Sequence, residues 1–238
     1  MVLCCGRRAA VHGAGVKVGR TARFFNPSMW PADLARRFGA WHRHGDRVCL
    51  RVMIQTQFLT GQFLMAMPGI GDPRFDHAVI AMCAHDADGA IGIGIGAVVE
   101  GLSFHDLLDQ FEIPRGTAPN APVHAGGPVS TRRGFVIHSR DWAGQDTTDV
   151  AGRWALSGTL DVLRAIADGR GPGQWVVALG YAGWSAGQLE QELAGPGWLN
   201  VTGTTDMLFA TEAPRRWSAG LASAGVDPRL LVADTGTA

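Results

Sequence analysis

A serine flanked by glycines is the residue whose type and spacing most directly suggest catalysis. The run Gly183–Gly187 reads Gly-Trp-Ser-Ala-Gly, which matches the turn that exposes a nucleophilic serine between a strand and a helix. Such a serine needs a base, and in the fold that carries this turn the histidine follows the serine. All eight histidines precede Ser185, the last being His138, so an upstream base would require another fold. We therefore predict that Ser185 caps a helix, with Gln188 completing a capping box.

A second group of reactive side chains, Cys83, His85 and Asp86, offers three kinds of metal ligand within four residues. A metal site needs three or four ligands that converge, and no spacing in the chain brings a further ligand to this group. We therefore predict a structural histidine and a buried cysteine here. The sequence predicts no metal site and no cofactor.

Glycines alternate at positions 92, 94 and 96, which resembles the start of a dinucleotide-binding fingerprint. The third glycine of the G-x-G-x-x-G pattern is replaced by Ala97, and the next helix begins only near Ser103, too late to face a pyrophosphate. The alternation instead predicts a strand, Ala90–Val99, one face of which is bare and closely packed.

Four polar residues remain as candidates for acid–base chemistry or for binding a small molecule: His85, His138, Ser139 and Glu190. An enzyme or a receptor would need these groups to meet in one concave pocket. Glu190 and Glu192 are two residues apart in a predicted helix, so they lie on different sides of it and do not form a carboxylate pair.

The elements that must position these residues are short and alternate in type. Helices are predicted to start at a capping box, Ser103 to Asp106, at Thr159, at Ser185 and at Pro214, the last one ending at Gly225. Strand-length apolar runs are Phe63–Met67, Ala78–Ala84, Ala90–Val99, Val123–Ala125, Phe135–His138, Trp175–Leu179, Trp198–Val201 and Met207–Phe209. Strands that follow one another through short turns favour an α+β (mixed α/β) fold with a largely antiparallel sheet.

Charge divides the chain of 238 residues into two unlike parts, although its formal net charge is +0. Residues 1–52 carry ten basic and two acidic side chains, hence +8, and residues 53–238 carry eleven and nineteen, hence −8. We predict a poorly structured basic extension over 1–52 and one domain over 53–238. Nucleic acid could bind only through the extension, because an acidic domain repels phosphate. The four cysteines form no disulfide framework, which favours a reducing, cytoplasmic location, and no apolar run is long enough for a membrane span.

Several segments in order resemble the AlgH/YqgE family of bacterial proteins. They are Gly61–Phe75, Ala125–Pro128, Arg133–Ser139, Thr159–Leu163 and Ala178–Glu192, followed by Trp198-Leu199, Phe209 and Arg216-Trp217. Two departures from the family pattern are Gly94–Glu100, where an Asn-x-Pro-like segment is usual, and Thr235–Ala238, where the usual terminal histidine is missing.

The resemblance implies a bifurcated sheet curled into a pseudo-barrel with flanking helices, and it brings no established activity, cofactor or catalytic residue. Members are labelled as transcriptional regulators, so we expect a non-enzymatic binding or regulatory protein. Its partner would be a protein or a small molecule. The expected surface includes Trp184, the tryptophan expected to be partly exposed. Its full set is His85, Gly126, Gly127, Arg133, His138, Ser139, Tyr181, Trp184, Gln188 and Glu190.

Overall fold

Ten strands form one sheet in the computed structural model, which describes residues 58–231. The predicted basic extension therefore lies outside the described residues. The strands are β1 (Gln62–Ala66), β2 (Val79–Asp86), β3 (Gly89–Gly94), β4 (Val98–Ser103), β5 (Pro122–Ala125), β6 (Val129–His138), β7 (Thr148–Val150), β8 (Trp154–Ser157), β9 (Trp175–Ser185) and β10 (Trp198–Thr202). Their main order is β10-β1-β2-β3-β9-β6-β8-β7, with β4 on β5 and β5 on β9.

The sheet forks at the middle of β9. The first half of this strand pairs with β5 in parallel and with β6, whereas its second half pairs with β3. Gly180 stands at the fork with a positive φ of 78°. A Cβ added to Gly126 would lie 2.2 Å from the Gly180 carbonyl oxygen, and one on Gly94 would lie 2.5 Å from that of Ala125. The fork therefore requires glycine, because any side chain would push the two branches apart.

All strand pairs except β5 with β9 are antiparallel, and the sheet curls into a half-barrel flanked by a few helices. This confirms the predicted fold class. The concave core includes Phe63 stacked on Trp154, with ring centroids 5.4 Å apart. Burying such large apolar side chains stabilises the fold by about 1.5–3 kcal/mol each.

In the described part of the chain, four α-helices flank the sheet: α1 (Phe104–Gln110), α2 (Leu160–Ala167), α3 (Gln188–Leu193) and α4 (Ala213–Ser223). A π-helical turn covers Asp206–Ala210, and 3-10 turns cover Pro73–Phe75 and Pro228–Leu230. Within residues 58–231, none of the helices combines the length and the apolar character needed to cross a lipid bilayer.

Helix capping follows the sequence at two helices and departs from it at the other two. The capping box of Ser103 with Asp106 is present, and α4 has proline in its first turn. Helix α2 starts after Thr159 as predicted, but the Thr159 hydroxyl makes no capping bond, because it faces the carboxylates of Asp146 and Asp161 and shares its single proton with them. The prediction that the Ser185 side chain caps α3 was wrong, since α3 starts after Gly187. Of the predicted capping box, only the bond from the Ser185 amide to the Gln188 side chain is present.

Two predicted strands have a different structure, and the short strands β7 and β8 were not predicted. The run predicted as Ala90–Val99 is two strands, because the chain leaves β3 after Gly94 to make room for the fork. Met207–Phe209 is part of the π-helical turn, where Met207 and Leu208 pack into the core. The short strand β8 was not predicted because its four residues, Trp154–Ser157, are all buried and show no alternation of polar and apolar side chains.

Candidate functional site

The ten residues predicted from the sequence do not form one site. They occupy three places: the edge of the sheet beside α3, the end of β6, and the fork. The α3 edge holds His85, Trp184, Gln188 and Glu190; the end of β6 holds His138 and Ser139; the fork holds Gly126, Gly127, Arg133 and Tyr181.

At the α3 edge, His85 is 3% exposed and both of its ring nitrogens are hydrogen-bonded. The backbone N–H of Leu59 donates to Nδ1 at 3.0 Å, and Nε2 lies 3.0 Å from the Glu190 Oε1 atom. Since an amide can only donate, Nδ1 must be the acceptor and the proton must be on Nε2. The neutral ring thus joins the chain before β1 to α3, which is a structural role.

Trp184 at the same edge is 5% exposed, so the prediction of a partly exposed ring was wrong. Its Nε1–H donates to the Glu192 Oε2 atom at 2.8 Å, and Trp198 donates to the same oxygen at 3.0 Å. Gln188 donates to the other oxygen of Glu192. Glu190 and Glu192 therefore serve different partners on different sides of α3, as their spacing predicted.

At the end of β6, His138 is fully buried within a chain of hydrogen bonds. Nδ1 lies 2.8 Å from the Ser139 carbonyl oxygen, which can only accept, so Nδ1 carries the proton. Nε2 then accepts from the Ser157 hydroxyl at 2.9 Å, and that hydroxyl lies 2.7 Å from the hydroxyl of Thr147. The Gly144 amide donates to Thr147 and completes the chain. A serine hydroxyl on a histidine resembles a nucleophile and its base, but Ser157 is 1% exposed and no substrate could reach it.

Burial lowers the pKa of His138, and the Ser139 carbonyl and the carboxylates of Asp141 and Asp146 offset part of that effect. The hydroxyl of Ser139 donates to the Asp141 Oδ1 atom at 2.6 Å, which holds the pKa of that carboxyl below its ordinary value. Asp141 also accepts from the Gly173 amide. Ser139 therefore fixes a loop beside β6 and does not approach His85.

At the fork, backbone and side chains crowd together. A Cβ on Gly127 would lie 2.2 Å from the Tyr181 carbonyl carbon, so β6 begins in contact with β9. Arg133 stacks over the ring of Phe135 at 5.4 Å, and Phe135 meets Tyr181 edge-on at 6.0 Å. Burial lowers the pKa of Arg133. The adjoining residues 128–132 are exposed, including Val129 at 37%, so the fork presents an exposed strand end above an ordered aromatic base.

A fourth place, which the sequence analysis did not single out as a site, joins β5 to α4. Arg216 is 5% exposed and donates to three carbonyl oxygens, those of Ile95 at 2.6 Å, Leu208 at 2.8 Å and Thr211 at 3.0 Å. Its Nη1 also lies 3.5 Å from the His124 Nε2 atom. Burial lowers the pKa of Arg216 to about 10, so the guanidinium stays charged at neutral pH.

His124 is 3% exposed, and burial together with the charge of Arg216 lowers its pKa to about 4. The ring is therefore neutral near pH 7, and its Nδ1 makes no hydrogen bond to any described residue. The pattern of α4 could have revealed this place. Arg216, Gly220 and Leu221 share its buried face, and an arginine on an apolar helical stripe is unusual.

These arrangements allow little chemistry at the predicted residues. His85 and His138 belong to separate hydrogen-bond networks, and both are buried, so they do not meet in one pocket. Within residues 58–231, no group of three histidine, cysteine, aspartate or glutamate side chains is placed to hold a metal ion. Burial raises the pKa of the Cys83 thiol to about 12, which leaves it unreactive.

Comparisons with known proteins agree on one family. The family model described as AlgH-like (DUF179) matches residues 63–229. A UPF0301 protein of Rhizorhabdus wittichii is 56% identical over 180 residues, covering 76% of this chain and 97% of that protein. A UPF0301 protein of Novosphingobium aromaticivorans is 54% identical over 186 residues, covering 78% of this chain and 100% of that protein.

Solved structures show the same relationship. The solution structure of the AlgH protein from Pseudomonas aeruginosa is 38% identical, with a TM-score of 0.64, and covers 79% of this chain and 100% of that chain. Protein DIP2367 from Corynebacterium diphtheriae, 18% identical with a TM-score of 0.55, shares the fold. The forked sheet, the family match and the identity to these relatives show that the chain belongs to the AlgH-like UPF0301 family, whose biochemical function is unknown.

Proposed function

We propose that this protein is a non-enzymatic binding protein that acts in the cytoplasm and regulates its partner by binding. The observation that carries the proposal is the state of the two candidate catalytic histidines. His85 and His138 are 3% and 0% exposed, and each has both ring nitrogens engaged within the protein. A general base must reach its substrate directly or through one water, and these rings cannot.

The surface that we assign to a macromolecular partner is the fork together with residues 128–132. Val129 supplies exposed apolar area there, and the arginine-rich strand end supplies polar contacts. The partner is a protein, because residues 53–238 carry a net charge of −8, which opposes contact with phosphate. Transcriptional control, the role implied by the family label, would then act through a protein and not through DNA.

Native mass spectrometry of the tagged full chain, purified from its own cells, tests this proposal. We expect a retained partner with the wild type, its loss in Val129→Glu at the fork, and its retention in Val98→Glu, an equally accessible valine elsewhere at 44% exposure. Equal retention in both variants would contradict the fork as the partner surface.

Two further measurements address the other classes of function. Mobility-shift titration of the full chain with DNA and RNA at low salt should show weak binding that disappears when Arg7, Arg8, Arg36 and Arg37 are changed to serine.

Incubation of the protein with a metabolite extract should yield no more than one molecule of any product per molecule of protein. Multiple turnover that is lost in His85→Gln or His138→Gln would show an enzyme and overturn the proposal.

A further inference from the structure

A cavity of about 440 Å³ lies where β4, β5 and the start of β9 face the π-helical turn and α4. Its walls include Val98, Trp175, Phe209 and Pro214, and its polar base is formed by His124 and Arg216. Val98 is the cross-strand partner of His124, so both side chains stand on the same face of the sheet. The volume suits a small organic molecule.

Arg216 brings a positive charge to this cavity that no described residue neutralises. Its hydrogen bonds go to three carbonyl oxygens and to a neutral imidazole, and none of the ion pairs within residues 58–231 includes it. A buried charge is costly unless it is paired. An arginine has five N–H groups, and four of them are used here, so one on Nη2 remains available.

His124 adds a second unused donor. Its Nε2 faces the Arg216 Nη1 group, which can only donate, so Nε2 accepts and Nδ1 carries the proton. The carbonyls of Ala97 and Ile95 lie close enough to favour the charged ring, but neither meets hydrogen-bond geometry with Nδ1. A buried donor without an acceptor costs about 1–3 kcal/mol.

We propose that this cavity binds a small organic acid, with its carboxylate on Arg216 and beside His124 and its apolar body against Trp175 and Phe209. The proposal rests on the proposed function, since it names the class of ligand that a binding protein of this kind would take. A carboxylate matches this site because it only accepts hydrogen bonds and carries the one negative charge that would pair with the buried guanidinium of Arg216.

Two features select a monoanion with an apolar body over inorganic phosphate. The cavity offers one guanidinium, whereas a phosphate dianion would need further donors or charges. Glu212 also lies at the cavity, with a side chain 78% exposed and paired with Arg215 at 4.0 Å. Its carboxylate leaves Arg216 unneutralised but opposes a second negative charge on the ligand.

Calorimetric and NMR titrations of the full chain with benzoate and hexanoate test the proposal, with benzyl alcohol and inorganic phosphate as controls. We expect saturable binding of both acids, and binding at least about tenfold weaker for the alcohol and for phosphate. The ring resonances of His124 should shift on binding benzoate, and those of His138 should not.

Substitutions locate the site. Arg216→Gln should abolish binding of benzoate, but it also removes structural hydrogen bonds, so Val98→Glu provides the decisive test. This change places a carboxylate on the cavity rim and should weaken benzoate binding about tenfold or more. Val129→Glu, a similarly exposed valine at the fork, is the matched control and should bind benzoate as the wild type does.

Three outcomes would overturn the proposal: no saturable binding of either acid, phosphate binding as tight as benzoate, or equal weakening by the two glutamate variants. The proposed function fails in a different way. Conversion of a bound acid to product would show an enzyme and leave the site intact, whereas failure to bind acids would leave partner binding at the fork untouched.

Discussion

Two buried histidines on either side of β9 have opposite surroundings. His138 ends β6, and each of its ring nitrogens has a hydrogen-bonding partner. His124 lies on β5, faces a buried guanidinium and has an unpartnered Nδ1 beside a cavity. Both side chains are at most 3% exposed and both have lowered pKa values. Burial alone therefore does not identify a site: a histidine with both ring nitrogens hydrogen-bonded stabilises the fold, whereas one with an unpartnered nitrogen can accept a ligand.

The largest expected effect concerns the incomplete side of this comparison. Arg216→Ala would leave the buried carbonyls of Ile95 and Leu208 without a donor, which should lower the free energy of unfolding by about 3–5 kcal/mol. Urea denaturation at pH 7 measures it. Arg215→Ala, whose side chain is 80% exposed, should change the free energy by less than about 0.5 kcal/mol. Equal effects would mean that Arg216 is not the structural link between β3 and α4.

The next effect is a pH dependence from His124. Its pKa is about 4 in the folded protein against an ordinary value of 6.5. Below pH 6.5 the unfolded chain binds a proton that the folded chain does not. The free energy of unfolding should therefore fall by about 3 kcal/mol as the pH drops from 6.5 to 4.

Urea denaturation between pH 7 and pH 4 checks this dependence. His124→Gln should flatten the profile, and the remaining slope should come from His138, whose pKa is lowered as well, and near pH 4 also from carboxyls with lowered pKa values such as Asp141. An unchanged slope in His124→Gln would contradict a neutral buried ring.

A smaller effect tests the completed network. Ser157→Ala removes the donor to His138 Nε2 and the partner of Thr147, and it should cost about 1–3 kcal/mol of unfolding free energy. Ser185→Ala, at the exposed end of β9, should cost less than about 0.5 kcal/mol. Loss of benzoate binding in Ser157→Ala, with the fold retained, would contradict the assignment of ligand binding to the cavity beside His124 and not to the network of His138.

The smallest effect concerns His85, which resembles His138 in having both nitrogens engaged. Glu190→Gln keeps an oxygen acceptor for Nε2 and should change the unfolding free energy by about 0.5 kcal/mol or less. Glu190→Ala removes the acceptor and should cost about 1 kcal/mol more than the glutamine variant. Thermal denaturation followed by circular dichroism distinguishes the two. A loss of stability in the glutamine variant as large as that in the alanine variant would mean that His85 requires the negative charge of Glu190 and not only its acceptor oxygen.

The sequence predicted a helix cap correctly where the capping side chain and its partners lie within one turn of the helix. The capping box at Ser103 formed because hydroxyl and carboxylate find the free amides of a helix start within the same turn. Thr159 holds the predicted N-cap position but makes no capping bond, because its hydroxyl faces the carboxylate of Asp146, 13 residues earlier, and that of Asp161 in the first turn of α2. Ser185 does not cap α3 because β9 extends as far as this residue, so the helix starts only after Gly187.

The candidate site was harder to predict because its residues meet only in three dimensions. His124 and Arg216 are 92 positions apart and meet where β5, α4 and the start of β9 line the same cavity. The polar residues that the sequence did single out, such as His85 and His138, were placed by the fold in separate networks in which both ring nitrogens are hydrogen-bonded.

From the sequence alone follow the family and the largely antiparallel sheet and, through the family resemblance, the forked form of that sheet, because these depend on the order of local patterns along the chain. The unlike net charges of residues 1–52 and 53–238, +8 and −8, also follow from the sequence. The need for glycine at the fork follows only from the close approach of backbone atoms across it. Which buried polar groups have hydrogen-bonding partners depends on the tertiary structure. Hydrogen-bond completion and the pairing of a buried charge depend on atoms brought together from distant elements, and neither spacing nor composition records them.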